Sequence, residues 1–123
     1  MTVKMRHSTD LQVCRRSHQF FLNVVQEASN LPRGSAAEVI ARQLFRGVGS
    51  ISANIAEGFN RTRKQFINYL EAAKDSGFES ENWHYEIRDC WFMEKATGRE
   101  RIKECSDVCK MLQSLLNELR KGR

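Results

Sequence analysis

The chain reads as an all-α protein, an antiparallel up-down-up-down four-helix bundle that assembles into a cyclic oligomer. Three observations predict the bundle. Apolar residues recur every three or four positions in four successive segments, and no segment sustains the alternation of a strand. One proline and seven glycines in 123 residues leave little material for long loops. Helices joined by short connections pack antiparallel to their neighbours, and this length suits one domain around one core.

The first helix is expected over 10–29, with Ser8, Thr9 or Asp10 as its N-cap. Its inward side is expected to carry Leu11, Cys14, His18, Phe21, Leu22, Val25 and Ala28, with Val13, Phe20 and Val24 off that stripe. The segment NLPRGS at 30–35 breaks it with Asn, Pro and Gly. The second helix, 36–57, repeats Ala37, Ile40, Leu44, Val48, Ile51 and Ile55. Gly58 is the expected left-handed terminator, with Phe59 folded back on the last turn. The third helix, 62–95, opens on a capping box of Thr62 and Gln65. It runs inward through Phe66, Leu70, Ala73, Gly77, Ser80, His84, Ile87 and Trp91, a rod of roughly 50 Å at 1.5 Å per residue. ATGRE at 96–100 is the expected turn. The fourth helix, 99–119, shows Ile102, Cys105, Cys109, Leu112, Leu116 and Leu119.

The stretch SISANIAEGFNR at 50–61 holds small residues that weaken a helix. Close approach to a neighbour compensates, with Ser76 and Gly77 on the third helix as counterparts. Asn54 is placed to bond a polar group across that contact. Glu57 opposes the dipole at a helix C-terminus, which calls for a cationic partner among the nearby arginines.

Net charge is +5 and is unevenly spread. Segments 1–35, 61–64 and 98–123 each carry +3, 36–60 is neutral, and 65–97 carries −4. No window has the 18 or more apolar residues of a membrane helix, and the N-terminal segment lacks a signal-peptide apolar run. The four cysteines suit a reduced, cytoplasmic setting. Cys105 and Cys109 share a helix face without the His or Cys partners that zinc requires, so they read as small buried hydrophobes, and no metal or cofactor is expected.

Self-association follows from the third helix. Beside its core stripe lie Ile67, Phe78, Tyr85 and Phe92, with Trp83 on the other flank. Together these cover about 220° of circumference, more than the arc of roughly 100° that a lone bundle hides. The remaining strip is acidic, with Glu71, Asp75 and Glu79 at mutually repelling spacings. An interface between copies is therefore expected at Phe78, Trp83, Tyr85, Phe92, Glu71, Asp75 and Glu79, under closed cyclic symmetry.

SISANIAEGFNR, with FINYLEAAKDSGFESE at 66–81, resembles the signature of the bacterial four-helix bundle proteins encoded in intervening sequences of 23S ribosomal RNA genes, the S23 ribosomal protein family. Its relatives include the accessory variability protein of diversity-generating retroelements. The resemblance spans most of the chain. It implies a homopentamer with a positive surface, binding of nucleic acid, and a reverse transcriptase as partner. It supplies no catalytic residues.

A polyanion is expected to touch Arg61, Arg63 and Lys64 at the start of the third helix, where exposed amides also favour phosphate. Arg42 and Arg46 on the second helix, Arg15 and Arg16 on the first, and Lys103 and Lys110 on the fourth complete the set. Five copies would carry roughly +25, enough for salt-dependent binding of RNA or DNA without base reading. The expected function is a nonenzymatic nucleic-acid-binding accessory protein. The alternative is a protein-binding scaffold that leaves nucleic acid alone. An enzyme would have to use His84, Glu81 and Glu57, and a single Glu-x-x-His falls short of the four-carboxylate di-iron pattern.

Overall fold

In a computed structural model, which describes residues 7–8 and 11–122, four helices follow in order: α1 (Gln12–Ala28), α2 (Ser35–Phe59), α3 (Arg63–Asp89) and α4 (Lys95–Arg120). No strand occurs among the described residues. Each helix packs on its neighbours in sequence, and α1 closes the ring on α4. The directions alternate. Gly58 approaches Tyr69 while Gly47 approaches Ser80, and Arg120 meets Glu71 while Gly98 meets Arg88.

The core is apolar and continuous. Phe20, Leu44, Ile51, Ile55, Leu70, Ile87, Leu112 and Leu116 lose essentially all contact with solvent. Burial of this kind, at about 25 cal/mol per Å² of apolar surface, is the main force holding the bundle. The stripes expected on α2 and α4 are buried except for Ile40, Ile102 and Leu119, which are half-buried, and Val108 and Gly98 join the stripe on α4.

On α1 the inward side is rotated from the expected one. Val13, Cys14, Ser17, Phe20 and Val24 are buried, whereas His18 is exposed and Leu22 and Val25 are 45% and 44% exposed. The polar Ser17 marks the wrong face in the sequence. Its hydroxyl donates to the Cys14 carbonyl at 2.9 Å, which satisfies it within the core. The N-cap position is Leu11, with no side-chain cap bond. Ser8 is buried, and its carbonyl accepts from Leu11 N–H. Thr9 and Asp10, the other two expected caps, lie outside the described residues.

The capping box of α3 forms as expected, Thr62 Oγ1 accepting from Gln65 N–H and Gln65 Oε1 from Thr62 N–H, both at 3.2 Å. The far end of α3 differs from the expectation. The helix stops at Asp89, and its rise of 1.5 Å per residue makes a rod of about 40 Å. It ends in a Schellman motif, in which Phe92 N–H donates to Ile87 O and Trp91 N–H to Arg88 O, both at 3.1 Å. The left-handed position belongs to Trp91, at φ 62°, where glycine is usual. Trp91 is therefore turned out of the core and is 79% exposed. The connection falls at 90–94, and ATGRE forms the first turns of α4. Gly98 there is buried beside the Arg88 side chain.

Gly58 is not a left-handed terminator, because α2 continues through Phe59. A Cβ at Gly58 would stand 2.5 Å from Tyr69 Cβ, so glycine is needed for approach to α3. Gly47 has the same role against Ser80. Gly77 faces the other way, where its Cβ would meet Cys109 Sγ on α4 at 2.5 Å. Asn54 bonds within its own helix, to Ser50 O at 2.8 Å and Ser50 Oγ at 3.0 Å. Ser50 makes the crossing contact instead, taking a 2.9 Å bond from Ser76 Oγ on α3.

Candidate nucleic-acid interface

The antiparallel order brings the ends of α2 and α4 beside the start of α3. Arg61, Arg63 and Lys64 are all exposed there. They share that end of the bundle with Arg120 and Lys121, and a Cβ on Gly122 would lie 3.6 Å from Arg63 Nη1. This neighbour removes an apparent conflict. Cations at the start of α3 oppose its dipole, but the same charges lie beside the C-terminus of α4, which favours them. Arg61 also satisfies Glu57, at 3.8 Å in an ion pair and through Nε to the Glu57 carbonyl at 3.1 Å. Its guanidinium lies 5.1 Å from the centre of the Tyr69 ring. Arg63 and Lys64 make no ion pair among the described residues.

The other expected contacts spread over three faces. Arg42 and Arg46 lie on the outer side of α2, diagonally across the bundle from α4, and Arg46 leans to Glu79 at 3.9 Å. Arg16 crosses to Asp107 on α4 at 3.8 Å, and Lys103 holds the same carboxylate at 3.1 Å. Arg15 is exposed on the solvent side of α1. Lys103 and Lys110 line a groove between α3 and α4. Sequence reasoning missed two more cations there, Arg88 and Arg99. The signal for Arg99 was present, because 99, 103 and 110 repeat at helical spacing. Placing the turn at 96–100 concealed it.

The residues expected between copies also divide. Trp83 and Phe92 are partly buried against the core, and Trp83 Nε1 reaches Glu79 at 3.5 Å. Glu71 is bound within the chain by Arg120 at 2.6 Å and Lys74 at 3.5 Å. The Arg120 hydrogen bond holds its carboxyl below the usual range. Asp75 is exposed. Phe78 is 55% exposed, and Tyr85 lies in the α3–α4 groove under the Arg88 guanidinium, 4.9 Å from its ring centre. Apolar surface open to solvent thus lies at Leu22, Val25, Val39, Phe78 and Trp91.

The residues an enzyme would use do not converge. Glu57 lies in the last turn of α2, while His84 lies about 30 Å along α3 from that end. Glu81 faces the α3–α4 groove, and His84 is 1% exposed in the core. His84 Nδ1 donates to the Ser80 carbonyl at 2.9 Å, since a carbonyl can only accept. The ring lies 5.7 Å from that of Phe20, and Nε2 has no partner among the described residues. Burial lowers its pKa to about 4, and the nearby Arg101 adds to the effect. Cys105 is likewise held protonated, because the Cys109 thiol beside it and burial push its pKa up. Its Sγ–H donates to Gly77 O at 3.2 Å and ties α4 to α3.

The family model for the 23S rRNA-intervening sequence protein matches residues 9–114. The chain belongs to this family. Among solved structures, it is similar to the crystal structure of a protein with unknown function from the S23 ribosomal protein family of Bacteroides thetaiotaomicron. That similarity has a TM-score of 0.79 at 24% identity and covers 85% of this chain and 95% of the other. It supports the four-helix fold. Comparison with curated proteins found no match. No helix among the described residues is long and apolar enough to cross a membrane.

Proposed function

We propose that this family member is a nonenzymatic accessory protein that binds the phosphate backbone of RNA or DNA as a homo-oligomer. The reading is carried by one observation: folding gathers Arg61, Arg63 and Lys64 with Arg120 and Lys121 at one end of the bundle. A ring of copies, with five favoured, would present that end repeatedly and multiply its charge. Such binding is driven by release of counterions, indifferent to sequence and sensitive to salt. A reverse transcriptase, the partner implied by the resemblance to accessory variability proteins, is an enzyme such a platform would serve in the cytoplasm.

The test is the affinity for a labelled RNA measured against salt concentration. The expected result is binding at about 50 mM salt that weakens steeply as salt rises. Replacing Arg61, Arg63 and Lys64 by alanine should lower the salt slope by about one unit for each phosphate that is no longer neutralised. Undetectable binding at low salt rejects the proposal. The scaffold reading would then gain, since Leu22, Val25 and Phe78 offer apolar surface to a protein partner. Sedimentation at micromolar concentration tests the oligomer separately, and a stable single-chain particle rejects it.

A further inference from the structure

We infer that the groove between α3 and α4 is a track for single-stranded nucleic acid, with bases stacked on Phe78 and Tyr85. The inference rests on the nucleic-acid reading above and assigns it a second surface, away from the Arg61–Lys64 end. The groove is an open channel of about 480 Å³ lined by Tyr85, Arg88, Arg99, Lys103, Ser106 and Lys110. Two carboxylates also face it, Glu81 and Asp107. Asp107 is already held by Lys103 at 3.1 Å and by Arg16 at 3.8 Å. Arg99 and Lys110 make no ion pair among the described residues, so the groove keeps positive charge to offer.

The geometry suits a strand better than a duplex. Arg99, Lys103 and Lys110 run along one side of α4 over about 16 Å, a row that can follow successive phosphates. Across from them Tyr85 lines the groove, and Phe78 lies beyond its lining on the same stripe of α3, two helical turns before Tyr85 or about 10 Å of rise. Phe78 is 55% exposed, an unusual state for a phenylalanine with no apolar cover. Tyr85 already carries a flat cation, the Arg88 guanidinium, at 4.9 Å. A base can add to such a stack, because every base has a π-face. A duplex turns its bases inward and cannot use either ring. Aromatic platforms beside a cationic row are the general physical means of holding single strands.

The test uses the full chain and a fluorescein-labelled oligouridine of about twelve nucleotides, with a duplex of equal length as competitor. The double variant Arg99→Glu, Lys110→Glu is expected to weaken single-strand binding at least about tenfold. Phe78→Leu and Tyr85→Leu, which keep apolar bulk, should each weaken it severalfold and narrow the preference for single strand over duplex. The wild-type thermal midpoint in these variants shows that the fold is kept. If wild type binds and the groove variants bind equally well, the groove assignment falls while the nucleic-acid reading stands. If wild type binds neither strand nor duplex, both fall. A groove variant that changes sedimentation but not affinity would make this surface a contact between copies, which also overturns the assignment.

Discussion

On its α2 side α3 meets glycine and serine, and at the rim of its α4 side it meets lysine and arginine. Along the first contact the backbones approach so closely that Gly47 and Gly58 leave no room for a Cβ. Ser50, Ser76 and Ser80 fill the seam with short bonds, 2.9 Å from Ser76 Oγ to Ser50 Oγ and 2.7 Å from Ser80 Oγ to the Ser76 carbonyl. The second contact is tight only in its depth, where Gly77 takes Cys105 and Cys109. Its rim opens into a groove with charge to spare. One helix thus has a side closed along its length and a side closed only in its depth, with an open rim. Side-chain size explains both, since small residues permit approach, whereas long cationic ones keep the rims of the two helices apart and leave a solvent-filled groove.

The largest expected effect concerns His84, buried between these two sides. The unfolded chain takes up its proton near pH 6.5, whereas the folded one resists until about pH 4. Above pH 6.5 both states are neutral at this site and stability is unaffected. Between pH 6.5 and 4 the unfolded state binds more protons, so stability should fall, by about 3 kcal/mol in all. Denaturant titrations at pH 7 and pH 4 measure the loss. His84→Phe should shrink it by that amount, and an unchanged loss would place its origin elsewhere.

Next in size is the seam itself. Gly58→Ala drives a Cβ into Tyr69 Cβ, an atom too near the backbone to move aside. Overpacking outweighs the better helix propensity of alanine, and a net loss of about 2 kcal/mol is expected in chemical denaturation. A neutral or stabilising result would mean that α2 and α3 separate freely, and the contrast between the two sides would lose its basis. Trp91→Gly acts in the opposite direction. It relieves the left-handed strain at φ 62° and should stabilise by about 1 kcal/mol. Part of that gain is offset by removal of the Lys95 contact, whose Nζ lies 5.8 Å from the indole centre. The smallest effect belongs to the groove. Arg99→Glu with Lys110→Glu changes exposed charges that have no ion partners among the described residues, and should shift stability by less than about 0.5 kcal/mol.

The helices and most of their inward stripes were legible because period and burial coincide on α2, on α4 and on α3 as far as Ile87. On α1 they diverge. Ser17 satisfies its hydroxyl within its own helix, so polarity no longer marks the outside, and Leu22 and Val25 mislead in the other direction. The end of α3 was illegible for a different reason. Its left-handed residue is Trp91 rather than glycine, so local chemistry carries no stop signal. Gly98 then suggested a turn where it lies buried in the first turns of α4 beside Arg88. Of the candidate interface, the Arg61–Lys64 cluster could be read directly, being contiguous. Its junction with Arg120 and Lys121 depends on helix direction, and the α3–α4 groove on facing stripes of two helices, which only the packed fold defines.

The central claim is that α3 packs tightly along its whole contact with α2, while the rim of its contact with α4 offers a groove to a single strand. Thermal midpoints with and without excess oligouridine test it most directly, for wild type and for Arg99→Glu, Lys110→Glu. A ligand that binds only the native state raises the midpoint. The account predicts equal midpoints for the two proteins without ligand, a clear rise for wild type with it, and little or none for the variant. An equal rise in both would contradict it.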